Sequence, residues 1–279
     1  MAKSAIDGGT VLVTGASSGI GLAIARLVAP RAKALVLVAR RVARLEELAK
    51  ELARPDLRIE VLPCDLSKRD DVERLIGEVK ARGLEVDVLV NNAGIGVMDF
   101  LERTTPEKAI FAIDLNVTSL TLLTIAFLPG MVARDRGGIL NISSGFGLGT
   151  LPMFSVYCAT KHYVTGLTEA LVADLSGTNV YATQVCPGPV ATEFEATMGN
   201  QTGKKVPGFI ELSAEECARA AVSGFDRGRA LVVPGLFMKI VMLVNELSPR
   251  FMRRLFARIV GRVARRRLGG IKEGSATSA

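Results

Sequence analysis

The sequence predicts an α/β protein: a doubly wound parallel sheet of about seven strands, covered by helices on both faces, with a helical extension at the C-terminal end. Three observations predict it. Apolar runs of strand length alternate with stretches of helix length, the connections between them are short, and the first strand runs into a glycine-rich turn that opens a helix. The 279 residues are 49% hydrophobic and 23% charged, which is ordinary for a folded soluble chain and excludes collagen-like, disordered and coiled-coil classes. That length suits one large α/β domain.

The elements follow in order. Thr10–Thr14 is an apolar strand, and Ile20–Ala29 a helix after the glycine-rich turn. Ala34–Ala39 (ALVLVA) is apolar throughout, as a strand buried on both faces must be. The charged stretch 41–53 is its helix. Strands at 58–62 and 86–90 flank a helix over 68–82, and a long helical stretch over 116–134 precedes a strand at 138–142. A helix over 155–176 leads to strand 180–185. An irregular segment, 187–206, separates this from a helix at 214–225, which Ser213 can cap, and from a last strand at 230–233. Residues 1–234 are expected to form the α/β domain and 235–279 a helical extension with a disordered end.

Composition narrows the chemistry. His162 is the sole histidine, so a polyhistidine zinc site is excluded and a Ser-His-Asp hydrolase would have to rely on that one residue. No metal is expected. Cys64, Cys158, Cys186 and Cys217 form no C-x-x-C pair, and the N-terminal residues lack a signal-like apolar run of roughly 7–15 residues. These features read as a cytoplasmic chain with reduced thiols. The net charge of +7 is local: residues 250–279 hold nine bases against one acid, residues 1–249 hold 26 bases against 27 acids.

The turn after the first strand reads Thr14-Gly-Ala-Ser-Ser-Gly-Ile-Gly21. Glycines there let the backbone approach a pyrophosphate, and the helix N-terminus offers unpaired N–H donors. Gly15, Ser17, Ser18, Gly19, Ile20 and Gly21 are the candidate contacts. At the end of the second strand, where an acid would hold ribose hydroxyls, the chain has Ala39-Arg40-Arg41. Guanidinium groups there suit a 2′-phosphate, hence NADP(H) over NAD(H).

Ser143-Ser144 ends the fifth strand; Tyr157 follows thirteen residues after Ser144, and Lys161 four later, on the same helix face. Together with TGASSGIG, Asn91-Asn92-Ala93-Gly94, Asn116 and Pro187-Gly188-Pro189-Val190-Ala191-Thr192, these residues resemble the short-chain dehydrogenase/reductase family over residues 10 to about 234. Six motifs in the family's order and spacing are far more specific than any one alone.

The resemblance implies a Rossmann-like fold and a set of roles. Tyr157 is the general acid or base, Lys161 its electrostatic partner and a ribose ligand, Ser144 the group that polarises the substrate oxygen, and Asn116 the holder of a proton-relay water. Asp65 and Leu66 would meet the adenine, Asn92, Ala93 and Gly94 would lie beside the cofactor, and Pro187, Gly188, Val190 and Thr192 would hold the carboxamide end. The physical case for the pair is that an ammonium and an oxidised nicotinamide favour the phenolate of a tyrosine whose free pKa is about 10. The chain departs from the family at Asn116-Val-Thr-Ser119, where a glycine is common, and at Val233-Pro234-Gly235, which replaces a frequent Asp-Gly-Gly ending. The second departure puts the usual tetramer contact in question. His162 is expected to point away from Tyr157, and the cysteines to be small core residues.

Leu236–Leu247 is a nearly all-apolar helical stretch, broken by Ser248-Pro249 before a second helix from Arg250 to about Arg267. Neither reaches the roughly 20 apolar residues that span a bilayer. Phe251, Met252, Leu255, Phe256, Ile259, Val260 and Val263 share one half of the second helix, opposite most of its arginines. Such a basic amphipathic stretch, 236–267, can lie on an anionic membrane, on its own domain or on a second subunit of a homodimer. Nucleic acid is not an expected partner, since the aromatic residues are not interleaved with the bases.

The 187–206 segment lies where the family carries its substrate lid. Phe194 there, with Phe146 and Phe154 of the apolar stretch 145–154, joins Ser144 and Tyr157 as candidate substrate contacts. The expected function is an NADPH-dependent reductase of a lipophilic ketone, working in the cytoplasm or peripherally on the inner membrane face. Two alternatives stay open: an NADP-dependent dehydrogenase of small 3-hydroxy acids, and a non-catalytic dinucleotide-binding regulator.

Overall fold

The computed structural model describes residues 4–194, 198, 208 and 210–268. Seven parallel strands form the central sheet in the order β3-β2-β1-β4-β5-β6-β9. They are β1 Thr10–Thr14, β2 Ala34–Ala39, β3 Arg58–Pro63, β4 Val88–Asn91, β5 Gly137–Ile142, β6 Val180–Val185 and β9 Leu231–Val232. The chain winds outward from β1 to β3, returns to β4 on the other side, and continues to β9. The direction reverses between β1 and β4, so the carboxyl ends of those strands border the crevice where such sheets bind ligands. A small separate sheet pairs β7, Val190–Ala191, with β8, Leu212–Ser213.

All six residues of β2 are buried. Successive side chains point to opposite faces: Leu35 and Leu37 join the core under helices α1 (Gly19–Val28), α2 (Val42–Leu52) and α7 (Ala214–Asp226). Val36 and Val38 join the core under α3 (Arg69–Ala81) and α5 (Ser119–Ala133). Each such side chain stabilises the fold by about 1.5–3 kcal/mol, which fixes the register of the strands that carry the site. At α7 the expected cap is present. The Ser213 hydroxyl accepts the Glu216 N–H at 3.1 Å, and the Glu216 carboxylate accepts the Ser213 N–H at 2.9 Å.

Two of the boundary differences from the sequence reading have a local cause. The helical stretch expected from 116 begins earlier, at α4 (Pro106–Ile113), where Thr105 is the N-cap and Pro106 follows it. A π-turn, Asp114–Thr118, then joins α4 to α5. The wider turn shifts the apolar phase, so one helical period does not fit the whole run. The run 106–133 is long and apolar enough to cross a membrane, but Leu120, Leu123, Phe127 and Met131 are buried against the sheet. The last strand is two residues rather than four, since Pro234 can donate no ladder hydrogen bond beyond it.

After α6 (Ser155–Asp174) and the last strand, α8 (Leu236–Leu247) and α9 (Arg250–Leu268) cross the carboxyl end of the sheet. Met238, Met242 and Asn245 form the inner face of α8. Asn245 Nδ2 donates to the Leu148 carbonyl at 2.7 Å, and Met242 lies so close to Gly145 that a Cβ there would sit 2.6 Å from its Cε. On α9, Gly261 faces Pro152, and Arg265 pairs with Glu102 at 2.6 Å while covering the Phe100 ring. Of the three surfaces expected for this extension, its own domain is thus one that it meets. The disordered end expected at 269–279 lies outside the described residues.

Candidate active site

The glycine-rich turn closes on β4. Gly15 has a φ of +66°, and a Cβ there would stand 2.7 Å from Asn92 Nδ2, so both conformation and space require glycine. Asn92 donates to the Thr14 carbonyl at 2.9 Å, and Thr14 Oγ1 accepts the N–H groups of Asn92 and Ala93. This ties β1 to β4 beside the crevice. Ser18, the N-cap of α1, makes no capping bond with its own side chain, which leaves the first N–H groups of α1 facing the cradle. These features fit a bound dinucleotide.

Arg41 organises the outer rim. It donates to Ser17 Oγ at 3.1 Å, to Ser18 Oγ at 2.7 Å and to Glu193 at 2.6 Å. Arg44 holds the other oxygen of Glu193 at 2.6 Å. Hydrogen bonds from these two guanidinium groups hold the Glu193 carboxyl down to about 2. Arg40 is exposed and lines the same cavity. The Asp65 carboxylate accepts the backbone N–H and hydroxyl of Ser67, so it also closes a local turn; Leu66 lines the cavity next to it.

The predicted constellation converges. Asn116, Ser144, Tyr157 and Lys161 are all buried. A Cβ on Gly94 would meet both Asn116 Oδ1, at 3.1 Å, and Lys161 Nζ, at 3.5 Å. Lys161 Nζ donates to the Ile142 carbonyl at 2.9 Å and lies 5.9 Å from the centre of the Tyr157 ring. Burial pushes its ammonium down to about 8. Burial also raises the Tyr157 phenol above its usual range, and hydrogen bonding with Ser144 offsets only part of this. In the protein alone the phenol is therefore held neutral; the expected lowering by the ammonium does not appear, and loss of solvent sets the direction.

Asn116 is aimed by the π-turn. Its amide donates to the Ile95 carbonyl at 2.9 Å and to Thr160 Oγ1 at 3.1 Å, and its oxygen accepts the Ile95 N–H at 2.9 Å. Both amide hydrogens are committed, which leaves an oxygen lone pair as the side chain's remaining site for water. Thr160, Arg44 and Glu193 were not singled out from the sequence. Thr160 bears no motif, and the Glu193 pairing joins segments about 150 residues apart.

Beyond Tyr157 the cavity is apolar. The Phe146 and Phe154 rings stack 4.9 Å apart, and Phe146 and Phe194 stand 5.9 and 5.7 Å from Tyr157. Met98, Met153 and Met198 pack with them. The whole cavity, about 1050 Å³, runs from the glycine turn past Gly188, Val190 and Thr192 to α8 and α9. Pro187 lines it as well. Most of the expected lid, including 199–206, lies outside the described residues. His162 is exposed, its Nδ1 engaged with the Cys158 carbonyl at 2.8 Å, and the four cysteines are buried without disulfides.

Comparison with known proteins agrees with this geometry. The short chain dehydrogenase family matches residues 9–203. A relative from Schizosaccharomyces pombe, named NADP-dependent 3-hydroxy acid dehydrogenase, is 32% identical over 82% of this chain and 92% of its own. A short-chain dehydrogenase from Sphingobium yanoikuyae, solved in complex with NADPH, is 31% identical over 97% of this chain and 98% of its own, with a TM-score of 0.75. An alcohol dehydrogenase from Comamonas testosteroni, described as specific for bulky-bulky ketones, is 26% identical with a TM-score of 0.71, covering 97% of each chain. With its glycine cradle, its converging Ser144, Tyr157 and Lys161, and these relatives, this chain belongs to the short-chain dehydrogenase/reductase family.

Proposed function

We propose that the protein is an NADP(H)-dependent oxidoreductase that reduces a lipophilic ketone to an alcohol. The observation that carries this reading is the position of Tyr157, where the glycine cradle meets an aromatic and methionine-lined chamber. The cofactor is NADP(H), with Arg41, Arg44 and Arg40 available for the 2′-phosphate. When bound, it supplies hydride to the carbonyl carbon. Tyr157, neutral in its buried site, donates its proton to the carbonyl oxygen, and Ser144 hydrogen-bonds the charge that develops there. Lys161 steadies the phenolate left behind and, with Asn116 and a held water, returns the proton. Phe146, Phe154 and Phe194 exclude water and favour a large apolar substrate.

The setting is the cytoplasm, peripherally on an anionic membrane face. A homodimer belongs to this reading too, seated on the exposed Ile110, Ile113, Ile125 and Val132 of the 106–133 helical run.

One observation favours a second reading, oxidation of a small 3-hydroxy acid: Arg253 lines the outer part of the cavity and offers a carboxylate a partner. The experiment that separates the two is NADPH consumption over a series of ketones from short keto acids to long-chain and steroidal ketones. Turnover that rises with apolar size supports the lipophilic reading. Turnover confined to short keto acids overturns it.

A further inference from the structure

The two C-terminal helices meet their own domain through one face and present another. On α9 the inward positions recur at 253, 257, 260, 261 and 264, and four of the five are Ala257, Val260, Gly261 and Ala264. The bulky residues point elsewhere: Phe251, Leu255 and Phe256 are each more than half exposed. On α8, Leu236, Ile240, Leu243, Val244 and Leu247 are likewise more than half exposed, while Met238, Met242 and Asn245 face inward. An amphipathic helix normally turns its large apolar side chains to the core and its small or charged ones to water. On α9 that order is reversed, and α8 carries large apolar side chains on its outer face as well as its inner one; exposed apolar surface on this scale marks a docking site.

Charge selects the occupant. Arg254, Arg258 and Arg262 run along the flank of this face, and none has an acidic partner among the described residues. Between 236 and 268 the only acid is Glu246. A second copy docked on the same face would bring two such arginine rows together. An anionic lipid surface would neutralise one row while taking up the apolar side chains.

The cavity gives the surface a purpose. Val241, Val244, Met252 and Phe256 are exposed on this face and also line the cavity that ends at Tyr157. Its outer opening and the apolar face are one continuous surface. We infer that α8 and α9 seat on an anionic bilayer and that a membrane-dissolved ketone passes from the hydrocarbon region between these helices to Tyr157 without crossing water. This rests on the ketone-reductase reading for its chemistry, but not for its surface.

The test uses the full chain with phosphatidylcholine vesicles, with and without phosphatidylglycerol. Binding is expected to the phosphatidylglycerol vesicles and to weaken with salt. The triple variant Arg254→Gln, Arg258→Gln, Arg262→Gln should lose about 100-fold in that binding. The variant Phe251→Glu, Leu255→Glu, whose positions lie outside the cavity lining, should reduce a water-soluble ketone at the parental rate but lose turnover of a steroidal ketone supplied in vesicles. Absence of vesicle binding by the parent, or equal vesicle-ketone turnover by the variant, overturns the inference. So does a dimer in analytical ultracentrifugation that the same variant dissociates, since a second copy would then own the face. Vesicle binding without reduction of any ketone would instead overturn the reductase reading and leave the docking surface standing.

Discussion

Arg41 stands between the phosphate turn and Glu193, donating to Ser18 Oγ at 2.7 Å on one side and to the carboxylate at 2.6 Å on the other. A 2′-phosphate at this rim would seek the same guanidinium groups that Glu193 holds. Glu193→Gln is therefore expected to tighten NADPH binding several-fold by removing a competing anion, and Arg41→Ala to weaken it about 10- to 100-fold, the worth of a charge-assisted hydrogen bond. NADH binding should change little in either. Fluorescence titration of both cofactors checks this, and parallel changes for the two cofactors would remove Arg41 from the 2′-phosphate role.

Tyr157→Phe keeps the ring contacts with Phe146 and Phe194 and deletes only the transferable proton. Ketone reduction should fall by at least about 10²- to 10⁴-fold, the usual contribution of a positioned acid, with NADPH affinity nearly unchanged. Retention of more than a tenth of the parental kcat would assign the proton to another group.

The buried ammonium of Lys161 predicts a pH-dependent stability difference. Its folded pKa of about 8 lies below the roughly 10.4 of a free lysine, so the unfolded chain binds more protons between those values. The penalty is present in full below pH 8 and is relieved as pH rises towards 10. The buried thiols, whose values burial raises, act in the opposite direction, so the parent alone is uninformative. Lys161→Met should be more stable than the parent at pH 7, by up to about 3 kcal/mol, with the gap closing near pH 10. Denaturant unfolding at both pH values reads it, and a gap that does not change with pH would contradict the burial argument.

Behind the site, fully buried Asn141 accepts from Asn91 Nδ2 at 2.9 Å and donates to Thr168 Oγ1 at 2.9 Å. Asn141→Ala removes one hydrogen bond from each partner, leaving Asn91 Nδ2 with Thr124 Oγ1 and Thr168 Oγ1 with the Val164 carbonyl, at a cost of about 0.5–1.5 kcal/mol for each lost bond. Thermal unfolding should show a lower Tm, while Asn141→Asp or →Ser should recover part of it; an unchanged Tm in the alanine variant would mean water enters to take its place.

What could be read in advance was whatever the chain writes locally. The runs Thr10–Thr14, Ala34–Ala39 and Val180–Val185 are mostly apolar, short and bounded by turn residues, and they stand in the sheet at those limits. The Tyr157 and Lys161 spacing is a property of one helix, so their convergence needed no tertiary information. Glu193 was illegible for the opposite reason, since its partners at 41 and 44 come from the far side of the chain. The first C-terminal helix reads as nearly all apolar and the second as amphipathic, yet neither pattern says which face meets the protein. The decisive residues, Gly145 and Gly188, are small ones on the other side of that contact.

The π-turn at 114–118 makes this active site sensitive to a kind of mutation that surface loops absorb easily. Its additional residue offsets the helix before it from the helix after it by about 100°, one residue's rotation, and Asn116 reaches Ile95 and Thr160 from within that offset. Deleting one residue there would restore regular helix, leaving the hydrogen-bond ladder and most of the core intact while swinging Asn116 out of line. A lineage that accumulated such a deletion would keep a well-folded protein with a disassembled proton path, so in this segment length is under tighter constraint than composition.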